Sequence, residues 1–361
     1  MRHLELFSGI GGFRRAMDLL TQDGIMDFIS IGYSEIDDKA KRTYCANYNT
    51  HGEIALGDIV QFTANPQNID RLPDFDILTG GFPCQSFSVM GNQDGFEDVE
   101  RGQMFFRIID IVCLKRPRYL LLENVKNLHT HDRGRTFRTI QHVLQDLGYS
   151  VFSNIFNTKD FHLPQRRSRV LIFATLDDIN NDFQNDFTPK NISNFFDNVY
   201  QETSVLHFET TLDLLAHNVD AKYYLSERIK PTILSDGSGG FKSRSDINQL
   251  IARTLTASMH KMHRACQDNY YSQNFIDSNG ADNPVKYMTK EQLAQLAIRK
   301  LTPQEAFLLQ GFPADFATRA QQQRISDGSL YKQAGNAVSV NTIYAVLYYL
   351  IVNNKIIDHA I

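Results

Sequence analysis

The sequence contains no tryptophan and only four cysteines in 361 residues. The cysteines are widely separated and form no CxxC pair, which excludes a disulfide scaffold and a zinc knuckle and indicates free thiols. The longest purely apolar or tyrosyl run, 343–352, is far shorter than the ~20 residues of a membrane span. No secretory signal is visible at the N-terminus. We therefore expect a cytoplasmic protein with no metal site and no membrane contact.

A strong excess of one charge is also absent. The net charge is −4, with 37 Lys or Arg and 41 Asp or Glu, and does not by itself indicate a nucleic-acid-binding protein. The charges are uneven, however: residues 222–264 contain eight Lys or Arg and three acids. A solvated basic surface is the simpler interpretation of this segment taken alone, and a polyanion-binding surface needs support from elsewhere.

The length corresponds to about two domains. In the first half, apolar extended segments alternate with amphipathic ones, which predicts an α/β fold with a parallel sheet and helices on both faces. Ligands of such sheets bind beyond the carboxyl ends of the strands. The predicted strands are 3–7, 28–33, 76–79, 119–122, 151–156 and 170–175, and the predicted helices are 12–20, 38–48, 104–114, 135–147, 290–299, 303–310 and 337–352.

The regular alternation ends after residue 176. Eleven of the 22 residues in 177–198 are Asn or Asp, a composition typical of a linker. We therefore predict one domain from 1–178 plus 328–361, with the last apolar helix packed back on it, and a smaller, irregular domain from 179–327.

A glycine-rich loop follows the first predicted strand. Glycines here permit a tight turn and let backbone N–H groups approach a ligand at a helix N-terminus. Glu35, at the end of the second strand, could accept hydrogen bonds from ribose hydroxyls. The pattern favours a nucleoside-bearing cofactor over an empty turn. It leaves NAD and S-adenosylmethionine open, although Arg14 at the last glycine position of G-x-G-x-x-G is unlike a dinucleotide site.

One cysteine differs from the others. Cys45 and Cys113 are interpreted as small core residues. Cys84 follows Pro83 just beyond a predicted sheet strand and two glycines, where a thiolate could be presented to a ligand. A nucleophilic thiol there would need nearby positive charge or a helix N-terminus.

Two later segments carry further candidate groups. Glu123 directly follows an apolar strand, so it would be partly desolvated and could serve as an acid, although an exposed capping residue is an equal alternative. Arg167 and Arg169 are two residues apart in an extended segment and are predicted to point to one face, towards an anion or Glu123.

Five blocks in this order resemble the bacterial DNA (cytosine-5)-methyltransferases: Phe7–Gly12, Phe82–Gln85, Glu123–Val125, Gln165–Arg169 and Gly335–Val338. The resemblance covers residues 1–175 and 299–361. It is loose over 180–298, the position of that family's variable target-recognition region. It implies a Rossmann-like, S-adenosylmethionine-dependent methyltransferase domain with a smaller, irregular target-recognition domain.

The resemblance also implies catalytic roles. Cys84 would add to C6 of cytosine so that C5 can accept a methyl group. Glu123 would hold or protonate the N3/N4 edge. Arg167 would orient Glu123 or the cytosine carbonyl, and Arg169 would help to hold the active-site loop or thiolate.

The same resemblance assigns a set of residues to S-adenosylmethionine. Ile36 stands where the family often has tryptophan, so Glu35 is the stronger of these two assignments. The assigned positions are Phe7, Gly9, Ile10, Gly11, Gly12, Glu35, Ile36, Asp58, Ile59, Pro83, Met104, Asn336 and Val338.

The implied partner is double-stranded DNA, from which the target cytosine must be flipped out. Residues 86–103 resemble the loop that closes over DNA in the family, with an ordinary solvent loop as the alternative. The basic segment would then bind phosphates and base edges. The expected DNA contacts are Gln85, Ser88, Asn92, Gln93, Lys242, Arg244, Arg253, Thr254, Lys261 and Arg264.

The leading interpretation is a DNA cytosine-5 methyltransferase of a bacterial restriction-modification system, functionally paired with an endonuclease without a stable complex. A tRNA cytosine-5 methyltransferase is the nearest alternative. A non-catalytic DNA-binding protein on the same scaffold comes from another class. A nicotinamide oxidoreductase is weakest, because it leaves Cys84 and Glu123 unexplained.

Overall fold

The computed structural model describes residues 1–83, 104–179, 182–236, 245–261, 263–353 and 356–357. The chain forms two compact units. The sheet unit comprises Met1–Asn157, Ser168–Val205 and Thr342–Ile361, and the second unit comprises Thr158–Arg167 and Leu206–Asn341. Residues 158–167, 179–205 and 328–341 thus belong to other units than the predicted boundaries assign them to.

A sheet of seven strands is present in the described part of the sheet unit, in the order β3-β2-β1-β4-β5-β8-β6. Strands β1 to β5 are mutually parallel, as predicted. The bounds are β1 Arg2–Leu6, β2 Ile29–Tyr33, β3 Ile54–Ala55, β4 Ile77–Gly81, β5 Tyr119–Val125, β6 Ser150–Asn157 and β8 Ser168–Thr175; β7, Gln165–Arg166, belongs to the second unit.

The last strand departs from the prediction of a parallel sheet. β8 is antiparallel to both β5 and β6. Only residues 158–167 connect β6 to β8, which is too short for the crossover that a parallel pair requires. The reversal aligns Val125 with Arg169, so the end of β5 lies beside the beginning of β8.

One face of the sheet supports a large apolar core. Leu4, Leu78, Leu120 and Ile172 belong to the same buried cluster, with side chains of the helices that cover this face. The helices of the sheet unit are α1 Gly12–Gln22, α2 Asp38–Asn47, α3 Ile59–Thr63, α4 Pro66–Asp70, α5 Met104–Lys115, α6 Arg135–Asp146, α7 Phe183–Asp186 and α8 Pro189–Asp197, with 3-10 turns at Lys126–His129 and His131–Gly134.

The prediction of a linker at 177–198 is wrong. This segment contains α7 and α8, and four of its apolar side chains, Phe183, Phe187, Ile192 and Phe196, are buried. Phe183 packs edge-on against Phe152 of β6, with ring centroids 4.9 Å apart, and Phe187 packs against Phe156. The composition misleads because the polar residues occupy caps and outer faces while four apolar side chains are buried in the unit.

The second unit contains short elements. The predicted helix 290–299 is helical only at its start, and the chain then forms β11, which pairs with β10. The bounds are β9 Ala252–Arg253, β10 Tyr270–Ser272, β11 Ile298–Lys300, α9 Lys230–Leu234, α10 Gln273–Asp277, α11 Lys290–Leu293, α12 Pro303–Leu308, α13 Ala314–Gln322 and α14 Asp327–Asn336; α15, Val340–Tyr348, begins here and continues into the sheet unit.

The C-terminal helical stretch is apolar. Asp327–Asn353 has the length and composition of a membrane span, with a mean hydropathy of 1.3 in its most apolar window, but 72% of that window is buried. Burial of this extent is typical of a core helix.

The predicted core role of Cys45 and Cys113 is wrong, since both are exposed. They lie on the outer faces of α2 and α5, which bury other positions.

Candidate active site

The carboxyl ends of three neighbouring strands form the edge at which the candidate residues meet. Leu6 at the end of β1 is aligned with Gly80 of β4, and Gly81 is aligned with Glu123 of β5. The loops after β1 and β4 and the end of β5 therefore lie side by side. This register brings together blocks of sequence that are more than 100 residues apart.

The glycine-rich loop follows β1 and leads into α1. Gly11 has φ 81, and a Cβ there would lie 2.5 Å from the ring of Tyr48, so glycine is required. The Tyr48 hydroxyl donates a 2.6 Å hydrogen bond to the Gly11 carbonyl. Tyr48 thus holds the glycine-rich loop by a hydrogen bond to its backbone.

Glu35 is held by the same loop. Its Oε2 accepts a 2.7 Å hydrogen bond from Gly9 N–H, and its Oε1 accepts one of 2.7 Å from Asp37 N–H. Burial raises the pKa of Glu35 above its ordinary value, and the N–H donors of Asp37 and Gly9 act in the opposite direction. The carboxyl group is therefore fixed beside the loop, as a ribose acceptor would need to be.

The loop after β3 completes this row. Asp58 caps α3 by accepting a 2.9 Å hydrogen bond from Val60 N–H, and Ile59 is buried in the apolar core. Ile36 is 75% exposed. Of the residues that the resemblance assigns to the cofactor, Ile36 thus exposes its aliphatic side chain to solvent, whereas the Ile59 side chain is buried in the core.

Glu123 forms an ion pair. Its Oε1 lies 2.8 Å from Nε of Arg169, and both side chains are mostly buried. Asn124 next to it donates a 2.8 Å hydrogen bond to the carbonyl of Phe82, which ties the end of β5 to the loop after β4. A planar guanidinium holding one carboxylate oxygen orients the carboxyl group.

The candidate nucleophile follows this loop. Phe82 is buried and Pro83 is exposed, so the chain reaches the surface immediately before Cys84. Cys84 lies outside the described residues, as do Gln85, Ser88, Asn92, Gln93 and the whole segment 86–103 that resembles the DNA-closing loop of the family. The described residues nevertheless fix where this segment begins. Gly81, three positions before Cys84, is aligned with Glu123.

Known proteins match this arrangement over nearly the whole chain. The C-5 cytosine-specific DNA methylase family matches residues 1–351. The chain belongs to this family. It is 36% identical over 345 residues to the type II methyltransferase M1.ScrFI of Lactococcus lactis subsp. cremoris, covering 95% of this chain and 76% of the relative. It is 35% identical to M.HpaII of Haemophilus parainfluenzae, covering 95% and 87%. The protein is a DNA cytosine-5 methyltransferase, and its family uses S-adenosylmethionine.

Solved structures agree on the fold. The Dnmt2 methyltransferase of S. pombe superimposes with a TM-score of 0.71 at 20% identity, over 98% of this chain and 99% of that chain. At this identity the likeness shows the fold alone. The closer sequence relatives are DNA-modifying enzymes, so the tRNA methyltransferase alternative is not favoured. The family assignment likewise leaves no support for a non-catalytic protein.

Arg167 and Arg169, the two candidate arginines of the Gln165–Arg169 block, have different surroundings. Arg169 of β8, not Arg167, makes the contact with Glu123 that was predicted for Arg167. Arg167 lies between β7 and β8, and its guanidinium donates to backbone carbonyls of the second unit. The prediction that both side chains point to one face is wrong, because the strand begins only at Ser168 and the period of two does not extend to Arg167.

The remaining predicted cofactor residues fall in both units. Met104 begins α5 and packs on the core of the sheet unit, and Ile10 of the glycine-rich loop is buried. Asn336 ends α14 in the second unit and is exposed, and Val338 is half-buried two residues later.

The predicted DNA contacts of the second unit divide in two. Arg253 donates a 2.8 Å hydrogen bond to the Asp246 carbonyl, and Thr254 Oγ1 donates to the carbonyl of Arg166. Arg264 donates to Thr256 Oγ1 at 2.6 Å and to Asp268 at 3.0 Å. These side chains stabilise the fold, whereas Lys261 is exposed; Lys242 and Arg244 lie outside the described residues.

A second basic segment, which is not among the predicted DNA contacts, follows Glu123 in the sequence. Lys126, Arg133, Arg135 and Arg138 follow the end of β5 and are exposed. Arg135 forms a 2.5 Å ion pair with Asp132. The clustering of four basic residues in 126–138 directly after the Glu123 block was a signal that could have identified this surface.

A buried polar cluster lies on the opposite face of β1 from the apolar core. Arg14 of α1 forms a 2.7 Å ion pair with Asp18 and a second ion pair with Glu53. Glu5 is fully buried near them, and burial raises its pKa to about 8, with the charge of Arg14 acting in the opposite direction. The cluster lies next to the glycine loop along β1 and α1. Among the described residues, no group of three His, Cys, Asp or Glu could hold a metal ion.

Proposed function

We propose that the enzyme methylates C5 of a flipped-out cytosine through a covalent bond to Cys84. Sγ bonds to C6, and the electron pair of the C5=C6 bond makes C5 nucleophilic. Glu123, oriented by Arg169 at 2.8 Å, holds the N3/N4 edge and donates a proton to N3, which neutralises the negative charge that enters the ring as Sγ bonds to C6. After C5 has been methylated, loss of the C5 proton, return of the N3 proton to Glu123 and departure of the sulfur restore the C5=C6 bond. The Glu123–Arg169 pair beside the loop that leads to Cys84 is the observation that carries this proposal.

The residues of the sheet unit fit S-adenosylmethionine, which supplies the electrophilic methyl group. Glu35 would accept the ribose hydroxyls, and its carboxyl group is already held by Gly9 and Asp37. Among the described residues, apart from the glycine and its two chain neighbours, no atom lies within 4 Å of a Cβ placed on Gly9 or Gly57, so the backbone is open to a ligand there. By resemblance, the positions assigned to the cofactor also include Phe7, Ile36, Asp58 and Pro83 of this unit and Asn336 and Val338 of the second unit.

Duplex DNA binding would combine two surfaces. The exposed basic residues of 126–138 would bind phosphates beside the reacting base, and exposed Lys261 would contact DNA from the second unit. Neutralised phosphates release counterions, so affinity should fall steeply with salt despite the net charge of −4. Lys242 and Arg244 remain predicted contacts of the target-recognition domain.

The biological role we propose is protection of DNA in a bacterial restriction-modification system, in the cytoplasm and associated with the nucleoid through DNA. The relatives named as type II methyltransferases support this proposal. The matching endonuclease would recognise the same sequence without forming a stable complex. Bisulfite sequencing of DNA from cells that express the protein would identify the recognition sequence.

The covalent step is tested with Cys84→Ala and Cys84→Ser. We expect Cys84→Ala to lose methyl transfer while keeping its affinity for duplex DNA and for S-adenosylhomocysteine, because the substitution removes only the nucleophile. Duplex DNA with 5-fluorocytosine at the target should trap the wild type covalently, since fluorine cannot leave as the C5 proton does.

Trapping is read as a protein–DNA adduct on a denaturing gel. An adduct of equal yield with Cys84→Ser would reject Cys84 as the nucleophile. Methyl incorporation into tRNA at a rate equal to that into duplex DNA would reject the substrate assignment.

A further inference from the structure

Two buried side chains of the Gln165–Arg169 block, those of Gln165 and Arg167, hold the beginning of the candidate DNA-contacting loop, 254–261. β7, Gln165–Arg166, pairs in parallel with β9, Ala252–Arg253, immediately before this loop. The Leu255 peptide follows. Its N–H donates a 3.0 Å hydrogen bond to Gln165 Oε1, and its carbonyl accepts one of 3.1 Å from Arg167 Nη1.

The same guanidinium holds a second segment. Arg167 Nη2 donates to the carbonyls of Gly335 at 3.1 Å and Ala337 at 2.8 Å. These carbonyls flank Asn336, a proposed cofactor contact. Arg167 is 1% exposed, so its hydrogen bonds are formed where water does not compete and where losing a partner is costly.

The two segments also touch directly. A Cβ on Gly335 would lie 2.2 Å from the carbonyl carbon of Thr256 and 2.4 Å from the N of Ala257. Only glycine permits this approach of two backbones. Arg167 and Gly335 therefore act on the same contact, one by hydrogen bonds and the other by the absence of a side chain.

We infer that Arg167 is a positioning residue that couples the DNA-contacting loop at 254–261 to the cofactor-contacting turn at 335–338. This inference rests on the proposed function, which assigns ligands to the two segments. Because one guanidinium spans both, ordering of either segment by its ligand orders the other. By thermodynamic linkage, each ligand then strengthens binding of the other by the same factor.

The test uses Arg167→Lys, with Arg166→Lys as the matched control. A lysine ammonium lacks the planar fork and cannot reproduce the bonds to both segments, whereas the Arg166 side chain is exposed. We expect Arg167→Lys to raise KM for duplex DNA and for S-adenosylmethionine about tenfold or more, with kcat at saturation less affected. S-adenosylhomocysteine should strengthen DNA binding to the wild type and to Arg166→Lys but not to Arg167→Lys.

Gly335→Ala provides an independent variant at the same contact, and it carries the test alone if Arg167→Lys does not fold. The double variant should be no worse than the worse single variant, because both changes break one contact. Additive losses, or a change in only one of the two KM values, would overturn the inference. Absence of methyl transfer by the wild type would instead reject the proposed function.

Discussion

The two units position their functional groups by different means. In the sheet unit, Glu123 and the glycine loop are placed by strand register, through backbone hydrogen bonds that do not depend on any one side chain. In the described part of the second unit the strands are two or three residues long, and buried polar side chains such as Gln165 and Arg299 fix the backbone. Chemistry and folding should therefore be separable in the sheet unit and inseparable in the second unit.

The largest expected effect tests this separation at Glu123. Glu123→Gln removes the charge but keeps the shape, so we expect kcat to fall about 10²- to 10⁴-fold while the far-ultraviolet circular dichroism is unchanged. Initial rates on duplex DNA measure the effect. Glu202→Gln, an exposed position of the same unit, is the control. A rate within threefold of the wild type would exclude Glu123 from the reaction.

Glu5 tests the contrast between the two units, because it is a buried acid within the sheet unit, where we expect stability not to depend on single polar side chains. Its pKa is raised from 4.5 to about 8 on folding, so the folded state keeps a proton that the unfolded state loses between these values. Its contribution to stability is therefore present below pH 4.5 and is lost as the pH rises to about 8.

Glu5→Gln should remove this dependence. We expect the variant to gain stability relative to the wild type as the pH rises from 5 to 9, by about 4 kcal/mol. Urea unfolding at several pH values measures the free energy of unfolding of the variant minus that of the wild type. The other titrating groups are the same in both proteins, so their contributions cancel in this difference. A difference that is constant with pH would show that Glu5 is ionised in the folded protein.

The second unit should respond most strongly at its buried ion pair. Arg299 donates to both oxygens of Glu305, at 2.9 and 2.8 Å, and both residues are buried. Glu305→Gln leaves a buried guanidinium without its counter-charge, so we expect the free energy of unfolding to fall by about 3–5 kcal/mol. Asp315→Asn breaks an exposed pair with Arg319 and should cost at most about 1 kcal/mol. Equal effects of the two variants in urea unfolding would contradict the comparison.

The smallest expected effect is on cofactor binding at Glu35. In Glu35→Gln, the side-chain NH₂ group replaces one carboxylate oxygen and faces the N–H donor of Gly9 or of Asp37. We expect KM for S-adenosylmethionine to rise about 10- to 100-fold with kcat less affected. Asp38→Asn, at an exposed neighbour, is the control. An unchanged KM would remove Glu35 from the cofactor site.

The difference between the units also explains which predictions failed. Periodicity correctly predicted six strands and four helices of the first half, because each is a local pattern of 5–12 residues. It missed the two-residue strand β3 and the five-residue helices α3 and α4, which are too short to show a period. It failed at 177–198, where a polar composition conceals four buried apolar side chains, and at 290–299, where the chain changes from helix to strand. In both places tertiary packing, not local propensity, decides the structure.

By itself, the sequence determined the alternation of strands and helices and the five motif blocks that indicate the chemistry. Only the tertiary structure decided that β8 runs antiparallel, that Arg169 pairs with Glu123, and that Arg264 stabilises its own loop. The reason is physical: hydrophobic period is a property of neighbouring residues, whereas the partner of a guanidinium depends on which distant segment the fold brings to it. Arg167 and Leu255, 88 residues apart, meet for that reason alone.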